Sequence, residues 1–265
     1  MNRIKSSALC CLLPACFCSC GESLMDSAVN TGMPVVESYL QEGADTVNVK
    51  LYSMEVYLKD DYLLSKPVGG LSLKINGMEM QEISAGTYFL HLGEDTIRGL
   101  KDYDLSFEYL GTTVSASTSV PQPVANLRIE PEYITRSSSS YFYFDTADTT
   151  EIRLTWDDPD GSYYQVYIES PASSDMPSFD GGTQFRRRMM QPFRGGSYTT
   201  SEREFMSTGK YSIYVYRVNK DYADLYERTG STDLANPASA IHNAFGIFTA
   251  MSVAGVQFQV IEAEE

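Results

Sequence analysis

Three aspartates crowd one short stretch: Asp157, Asp158 and Asp160, beside Gly161. Hard oxygen ligands at that density suit calcium, although no bidentate glutamate follows at the spacing of an EF-hand loop. The competing expectation is a solvated β-turn. Other catalytic chemistry is thinly supplied. His91 and His242 are the two imidazoles, and no G-x-S-x-G elbow, phosphate-binding glycine loop or dinucleotide fingerprint occurs. His91 stands between Leu90 and Leu92, an alternation that turns it to solvent from a strand. Carboxylates are numerous, but a glycosidase pair is defined by separation in space. The residues therefore predict a protein that is not an enzyme and carries no catalytic residues. One basic cluster interrupts an acidic chain: Arg186, Arg187 and Arg188, then Met189, Met190 and Arg194. It falls in a Gly/Pro/Ser-rich connection spanning residues 170–209, and long connections carry function more often than short ones. Arginine and methionine are enriched at protein interfaces, so the four arginines are the partner-binding candidates, against the alternative of a solvated or internally salt-bridged loop. Tyrosines cluster at Tyr141–Phe144 and at Tyr163-Tyr164. Such rings can stack on sugars, but alternating ones are usually half core and half strand surface.

The cysteines point elsewhere. All five lie at or before position 20, behind Arg3 and Lys5 and an apolar stretch from Ala8 to Cys18. That is the layout of an export signal, too short for a permanent span. Ser19-Cys20-Gly21 resembles the lipobox at which a lipoprotein signal peptidase cuts, leaving Cys20 to take lipid through its thiol. Cys16, after Pro14-Ala15, is the alternative acceptor. Residues 1–19 read as signal peptide and residues 20–33 as a lipidated polar tether without periodicity. Their removal takes two positive charges from a formal −15, leaving −17. So acidic a chain excludes nucleic acid as a partner and needs its lipid to stay at an anionic membrane surface. With only Cys20 kept, no internal disulfide or Cys-ligated zinc forms, and stability must come from core burial. Apart from the lipid anchor no cofactor is implied, calcium at the aspartates being the one open alternative.

The elements that must position these residues are strands. Apolar residues alternate at Val47, Val49, Leu51; Leu71, Leu73, Ile75; Tyr88, Leu90, Leu92; Leu105, Phe107, Tyr109; and from Val114 onward. Period two with β-branched and aromatic residues means half-buried strands. Asn76-Gly77 is the clearest hairpin turn, because both residues tolerate positive φ. Residues 34–120 read as an Ig-like β-sandwich, and Pro121-Gln122-Pro123 opens a linker over residues 121–126. Residues 127–265 repeat the grammar, with Ile152, Leu154, Trp156; Tyr164, Val166, Ile168; Ile213, Val215; and Val256, Phe258, Val260. The run from Ile152 through Trp156-Asp-Asp-Pro159 to Ile168 resembles the B strand, turn and C strand of a fibronectin type III sandwich, which makes the single tryptophan a core residue. Between Asn219 and Gly230 the period changes to helical, with Asn219 as capping residue and Tyr222, Leu225 and Tyr226 on one face. The fold class expected is all-β: two tandem β-sandwich domains with one short crossover helix.

Several stretches together resemble a known family. Val35-Val36-Glu37, Thr46 to Leu51, Pro67 to Ile75, Thr112 to Pro121, the Trp156 to Pro159 turn, Tyr216 to Tyr222, and Asn236-Pro237 leading to Ile241-His-Asn-Ala-Phe-Gly246-Ile-Phe248 are similar to the domain-of-unknown-function 4249 lipoproteins of Bacteroidetes. The family usually reads Asn-Ile-x-x-Gly-x-Gly-Ile-Phe in the last segment, from which His242 and Ala244-Phe245 depart. The resemblance implies a lipid-anchored outer-membrane protein, expected at the cell surface with the periplasmic face as alternative. Glu22 and Asp26 accord with surface export in that phylum. It also implies an accessory or ligand-binding role beside a TonB-dependent outer-membrane transporter. The alternative is a structural or adhesive surface protein of stacked sandwiches. No catalytic residue carries over.

Overall fold

The computed structural model describes residues 32–57, 62–136, 150–171, 187–205, 207–229 and 240–263. Cys16, Cys20, Arg186 and the Tyr141–Phe144 cluster lie outside them. The protein is an all-β sandwich structure with a single helix among the described residues.

The first half contributes β1 (Pro34–Gln41), β2 (Thr46–Tyr57), β3 (Tyr62–Pro67), β4 (Lys74–Ile75), β5 (Met78–Glu79), β6 (Gln81–Ser84), β7 (Thr87–His91), β8 (Asp102–Tyr109) and β9 (Thr112–Ser119). Alternation decides which side chains go inward: Val47, Val49 and Leu51 of β2 and Leu105 and Phe107 of β8 are buried. Asn76 and Gly77 join β4 to β5 with φ of 48° and 80°, as a tight hairpin requires. Sheet order β5-β4-β8-β9 faces β1, β2 and β7 across the first core.

The second half contributes β10 (Arg128–Glu130), β11 (Tyr133–Arg136), β12 (Glu151–Thr155), β13 (Tyr163–Glu169), β14 (Arg187–Met189), β15 (Phe193–Arg194), β16 (Ser197–Ser201), β17 (Gly209–Val218), α1 (Lys220–Thr229) and β18 (Phe245–Glu262). Strands β10-β12-β16 form one sheet, and β14-β13-β17-β18 belong to the other. Between them lies a second core that includes Ile152, Leu154, Trp156, Val166, Ile213 and Phe258. Trp156 packs on Tyr164 and Phe193, with ring centroids 5.1 and 6.0 Å away.

One strand serves both cores. β18 is 18 residues long; its start runs parallel to β1 from Val35↔Phe245 to Gln41↔Met251, and its remainder is antiparallel to β17. Consequently Ile241, Ala244, Phe248 and Ala250, which belong to the second half in sequence, are buried in the first core, while Phe258 and Val260 sit in the second. β1, β2, β13, β17 and β18 are thus parts of one 11-stranded sheet.

Gly246 makes the junction with β1 feasible. Its φ is +98°, and a Cβ there would stand 2.0 Å from the Val36 carbonyl oxygen. Only glycine lets two backbones approach so closely at that φ.

The linker is pinned at the seam between the cores. The Gln122 carbonyl accepts from Ser252 Oγ at 2.9 Å and from Arg217 Nη1 at 3.4 Å. Arg217 shares the inward face of β17 with Tyr211, Ile213 and Val215, and only 4 % of it is exposed. A buried guanidinium must be paired; Asp160 takes Nη2 with both oxygens at 2.6 and 2.5 Å, and Ser162 Oγ accepts from Nε.

Helix α1 crosses from β17 to β18 as its apolar spacing predicts. Tyr222 and Leu225 bury against Val218 and Ile247, with Tyr39, Tyr163, Tyr216 and Met251 around them. Asn219 precedes the helix, its carbonyl accepting from the Ala223 N–H at 3.2 Å, while its side-chain amide donates to Thr118 Oγ1 and the Ser119 carbonyl, tying the helix start to β9. Asp221 Oδ1 accepts from the Tyr222 N–H at 2.9 Å and from Thr249 Oγ1 at 3.0 Å.

Candidate partner-binding face

The arginine-rich stretch is not wholly a loop. Arg187–Met189 forms β14, an edge strand antiparallel to β13, and Phe193–Arg194 forms a second short pairing on the same strand. β-propensity is context-dependent, and β13 supplies an edge whose open hydrogen bonds outweigh the loop-like composition nearby. Val166 accepts from the Met190 N–H at 2.9 Å, and Gln165 Nε2 donates to the Met190 carbonyl at 2.8 Å.

The four candidate arginines separate. Arg188 lies opposite Ile168 and so leans to the core side of the edge, where its Nη1 pairs with Glu204. Its side chain is 57 % exposed, so the pair contributes at most about 1 kcal/mol. Arg187 occupies the register position opposite Glu169. Arg194 stacks over the Tyr163 ring, 4.3 Å from its centroid, and Nη2 donates to the Tyr163 hydroxyl at 3.1 Å.

Around Arg194 and β14 the outer face of the sheet is aromatic. Odd positions of β13 and even positions of β17 face outward, which sets Tyr167 beside Tyr214, their ring centroids 6.0 Å apart. Tyr167, Tyr214 and Tyr216 are half-buried, and Met189 is 48 % exposed opposite Tyr167. Helix α1 roofs one side, with the Tyr222 hydroxyl donating to Gln165 Oε1 at 2.8 Å. Burial pushes the Tyr216 phenol up, helped by Tyr167, Tyr214 and Glu169. The Tyr216 ring therefore presents a neutral hydroxyl at physiological pH. The sequence singled out Met189, Arg194 and Tyr163 separately; only strand pairing gathers them with Tyr167, Tyr214 and Tyr216 on one face.

The three aspartates of the turn diverge. Asp157 accepts from Asn126 Nδ2, Asp158 from the Ser162 N–H and the Tyr164 hydroxyl, and Asp160 from Arg217 and Ser162 Oγ. Hydrogen bonding from Ser162 leads in holding the Asp160 carboxyl below its ordinary value, against desolvation, with the charge of Arg217 adding to the lowering. Desolvation pushes the Tyr164 phenol up to about 12. Each carboxylate is engaged with a different donor, and among the described residues no three Asp, Glu, His or Cys side chains gather as a metal cluster. The turn closes the β12–β13 connection and anchors Arg217.

His91 is exposed on β7 as its alternation predicts; Nδ1 accepts from the Gly93 N–H at 2.8 Å, and Nε2 lies 3.7 Å from Asp45. His242 is exposed and pairs through its backbone with Ser115. The two imidazoles thus sit on separate elements.

The profile of the family described as domain of unknown function 4249 matches residues 24–255. The chain belongs to that family. No curated protein matches it. Among solved structures, domains A168–A170 of titin are similar at 10 % identity, covering 86 % of this chain and 66 % of that one, with a TM-score of 0.24. Two others are the first two Ig domains of DIP-gamma, at 8 % identity, 88 % and 99 % coverage and TM-score 0.19, and domains 4–9 of the surface layer protein SbsC, at 12 %, 87 %, 31 % and 0.22. In the family member described here, Gly246 of the Ile241–Phe248 segment is the residue that seats β18 against β1.

Proposed function

We propose that this protein is a non-catalytic, lipid-anchored envelope protein that binds a partner through the outer face of β13, β14 and β17. An outer-membrane transporter of the TonB-dependent type is the partner the family resemblance favours. The observation carrying this is the grouping of Arg194 over Tyr163, exposed Met189, and the Tyr167–Tyr214 pair on one sheet face. Tyrosine, arginine and methionine are the side chains most enriched in protein interfaces, because they bring large adaptable area at low entropic cost. In a chain of formal charge −15 the Arg194 cation also gives an acidic partner an electrostatic address. The Ser19-Cys20 junction supports the anchor.

The test is gentle detergent extraction of native membranes followed by capture of the full chain. A β-barrel membrane protein is expected in the eluate. Its recovery should fall with added salt and fall at least about tenfold in Arg194→Ser/Tyr167→Ala, a loss of about 1.4 kcal/mol. Undiminished capture by that variant would remove this face from the interface; recovery only as homopolymers would favour the structural, adhesive alternative. Fatty-acid label still entering Cys20→Ala would move the anchor to Cys16.

A further inference from the structure

β18 has two different neighbours on the edge that faces away from β17. β1 pairs with it as far as Gln41↔Met251, and β11 begins at Tyr133↔Gln259. Between those ladders, and among the described residues, 252–258 have a strand on one side only. The cause is a sheet change in the chain that should have filled the space. β10 pairs with β12 of the opposite sheet through Glu130↔Arg153, and the chain joins β18 only from Tyr133.

The phase of the free groups follows from the two ends. The Met251 carbonyl accepts from the Glu42 N–H at 2.9 Å, and the Gln259 N–H donates to the Glu132 carbonyl at 3.4 Å. Odd-numbered residues of β18 therefore aim their main-chain groups away from β17. The pairing with β17 is unbroken from Val218↔Met251 to Gly209↔Val260, so no bulge shifts this phase. Period two then sends both N–H and C=O of Val253, Gly255 and Gln257 into the notch. Among the described residues no main-chain partner meets them. A cavity of about 450 Å³ opens at the same place, lined by the apolar Leu127, Ile129 and Val256 and by the charged Arg128, Glu130, Glu132 and Lys210.

We propose that this notch is a strand-addition site that takes an extended segment of a partner polypeptide. Alternating donors and acceptors at strand spacing are complementary to one thing, another extended backbone. At about 3.3 Å per residue the gap admits four or five residues. The ladders of β1 and β11 bound it at both ends, which suits a short flexible segment rather than the long edge of a folded domain. Strand geometry directs alternate side chains of the guest toward the half-buried Leu127 and Val256, so small apolar residues are selected at those positions. This site is independent of the tyrosine face, which lies on β13 and β17.

Two measurements on the full chain test it. Amide exchange should be fast at Val253, Gly255 and Gln257 and slow at Ala254 and Val256; protection of the odd set in the free protein would overturn the proposal. Random seven-residue peptides displayed on phage should then yield binders with alternating small apolar residues. Gln257→Ala should bind them as wild type does, whereas Gln257→Pro, which removes one outward N–H at an edge where proline is tolerated, should lose at least tenfold. If Gln257→Pro unfolds, Val253→Pro removes the equivalent donor. Arg194→Ser/Tyr167→Ala should bind unchanged. Equal binding by the proline variants, or no enriched peptide, overturns the proposal. So does a concentration-dependent dimer that Gln257→Pro abolishes, since it would give the edge to a second copy.

Discussion

Replacing Gly246 with alanine tests the packing of β18 more sharply than any core truncation, because the same residue is asked for two things. Its φ of +98° is one that side chains rarely adopt, and holding a non-glycine residue in such a region costs about 1–3 kcal/mol. Independently, the new Cβ would stand 2.0 Å from the Val36 oxygen, 2.8 Å from its nitrogen and 2.9 Å from its carbonyl carbon. Those are backbone atoms of a residue with no exposed surface, so relief requires β1 to move as a strand. Forcing extra volume into a packed site costs about 1–3 kcal/mol more. The sum, about 2–6 kcal/mol, is a large fraction of the roughly 5–15 kcal/mol by which a folded protein is stable. In a unit of this size it lowers the melting temperature by on the order of 10 °C. Thermal unfolding by circular dichroism and urea titration measure it, and amide exchange should show β1 opening before β17. Gly255→Ala is the control: its φ is not positive, and its Cβ would meet Tyr214 ring carbons at 3.2 Å, so it should cost less than about 1 kcal/mol. A Gly246→Ala protein that loses less than about 1 kcal/mol would refute the close approach of β1 and β18.

Burial raises the Asp221 carboxyl above 3.8, against the hydrogen bonds from Thr249 and the Tyr222 N–H. Below the unfolded value both states are protonated and the group is neutral in effect. As pH rises the unfolded state ionises first, so folding loses stability until the folded value is passed. Asp221→Asn keeps an oxygen for both donors and should therefore gain on wild type between pH 4 and 7 in urea unfolding; an advantage that shrinks with pH contradicts this. A protease site inserted at Gln122 and cut should leave two fragments that co-elute, because β1 is held to β18 over seven residue pairs and Phe248 and Ala250 sit in the first core. Separation of the pieces by size exclusion in native buffer would contradict that packing.

Much of this fold is legible in one dimension because side-chain alternation is a local property. Val47, Val49 and Leu51, the Asn76-Gly77 hairpin, Trp156 in the core and the Tyr222–Leu225 helix face all follow from period and turn chemistry, with no knowledge of neighbours. Even Arg217 was readable in part, since it falls on the inward phase of Tyr211, Ile213 and Val215; its partner Asp160, 57 residues earlier, was not. The three adjacent aspartates show the converse limit. Proximity in sequence suggested one site, whereas strand and turn geometry sent each carboxylate to a different donor.

What tertiary structure alone decided is which strand edges meet. The pairing of β1 with β18 joins residues some 210 positions apart, and nothing local in either strand records it. The pairing of β14 with β13 turned part of an arginine-rich connection into a sheet edge and distributed its candidates among separate environments. The notch beside Gly255 exists because β10 and β11, five residues of chain apart at their starts, pair in different sheets. Alternation specifies which face of a strand is apolar, but backbone hydrogen bonds are the same for every residue type. The sequence therefore determined the faces, and the competition of two cores for one long strand determined the edges.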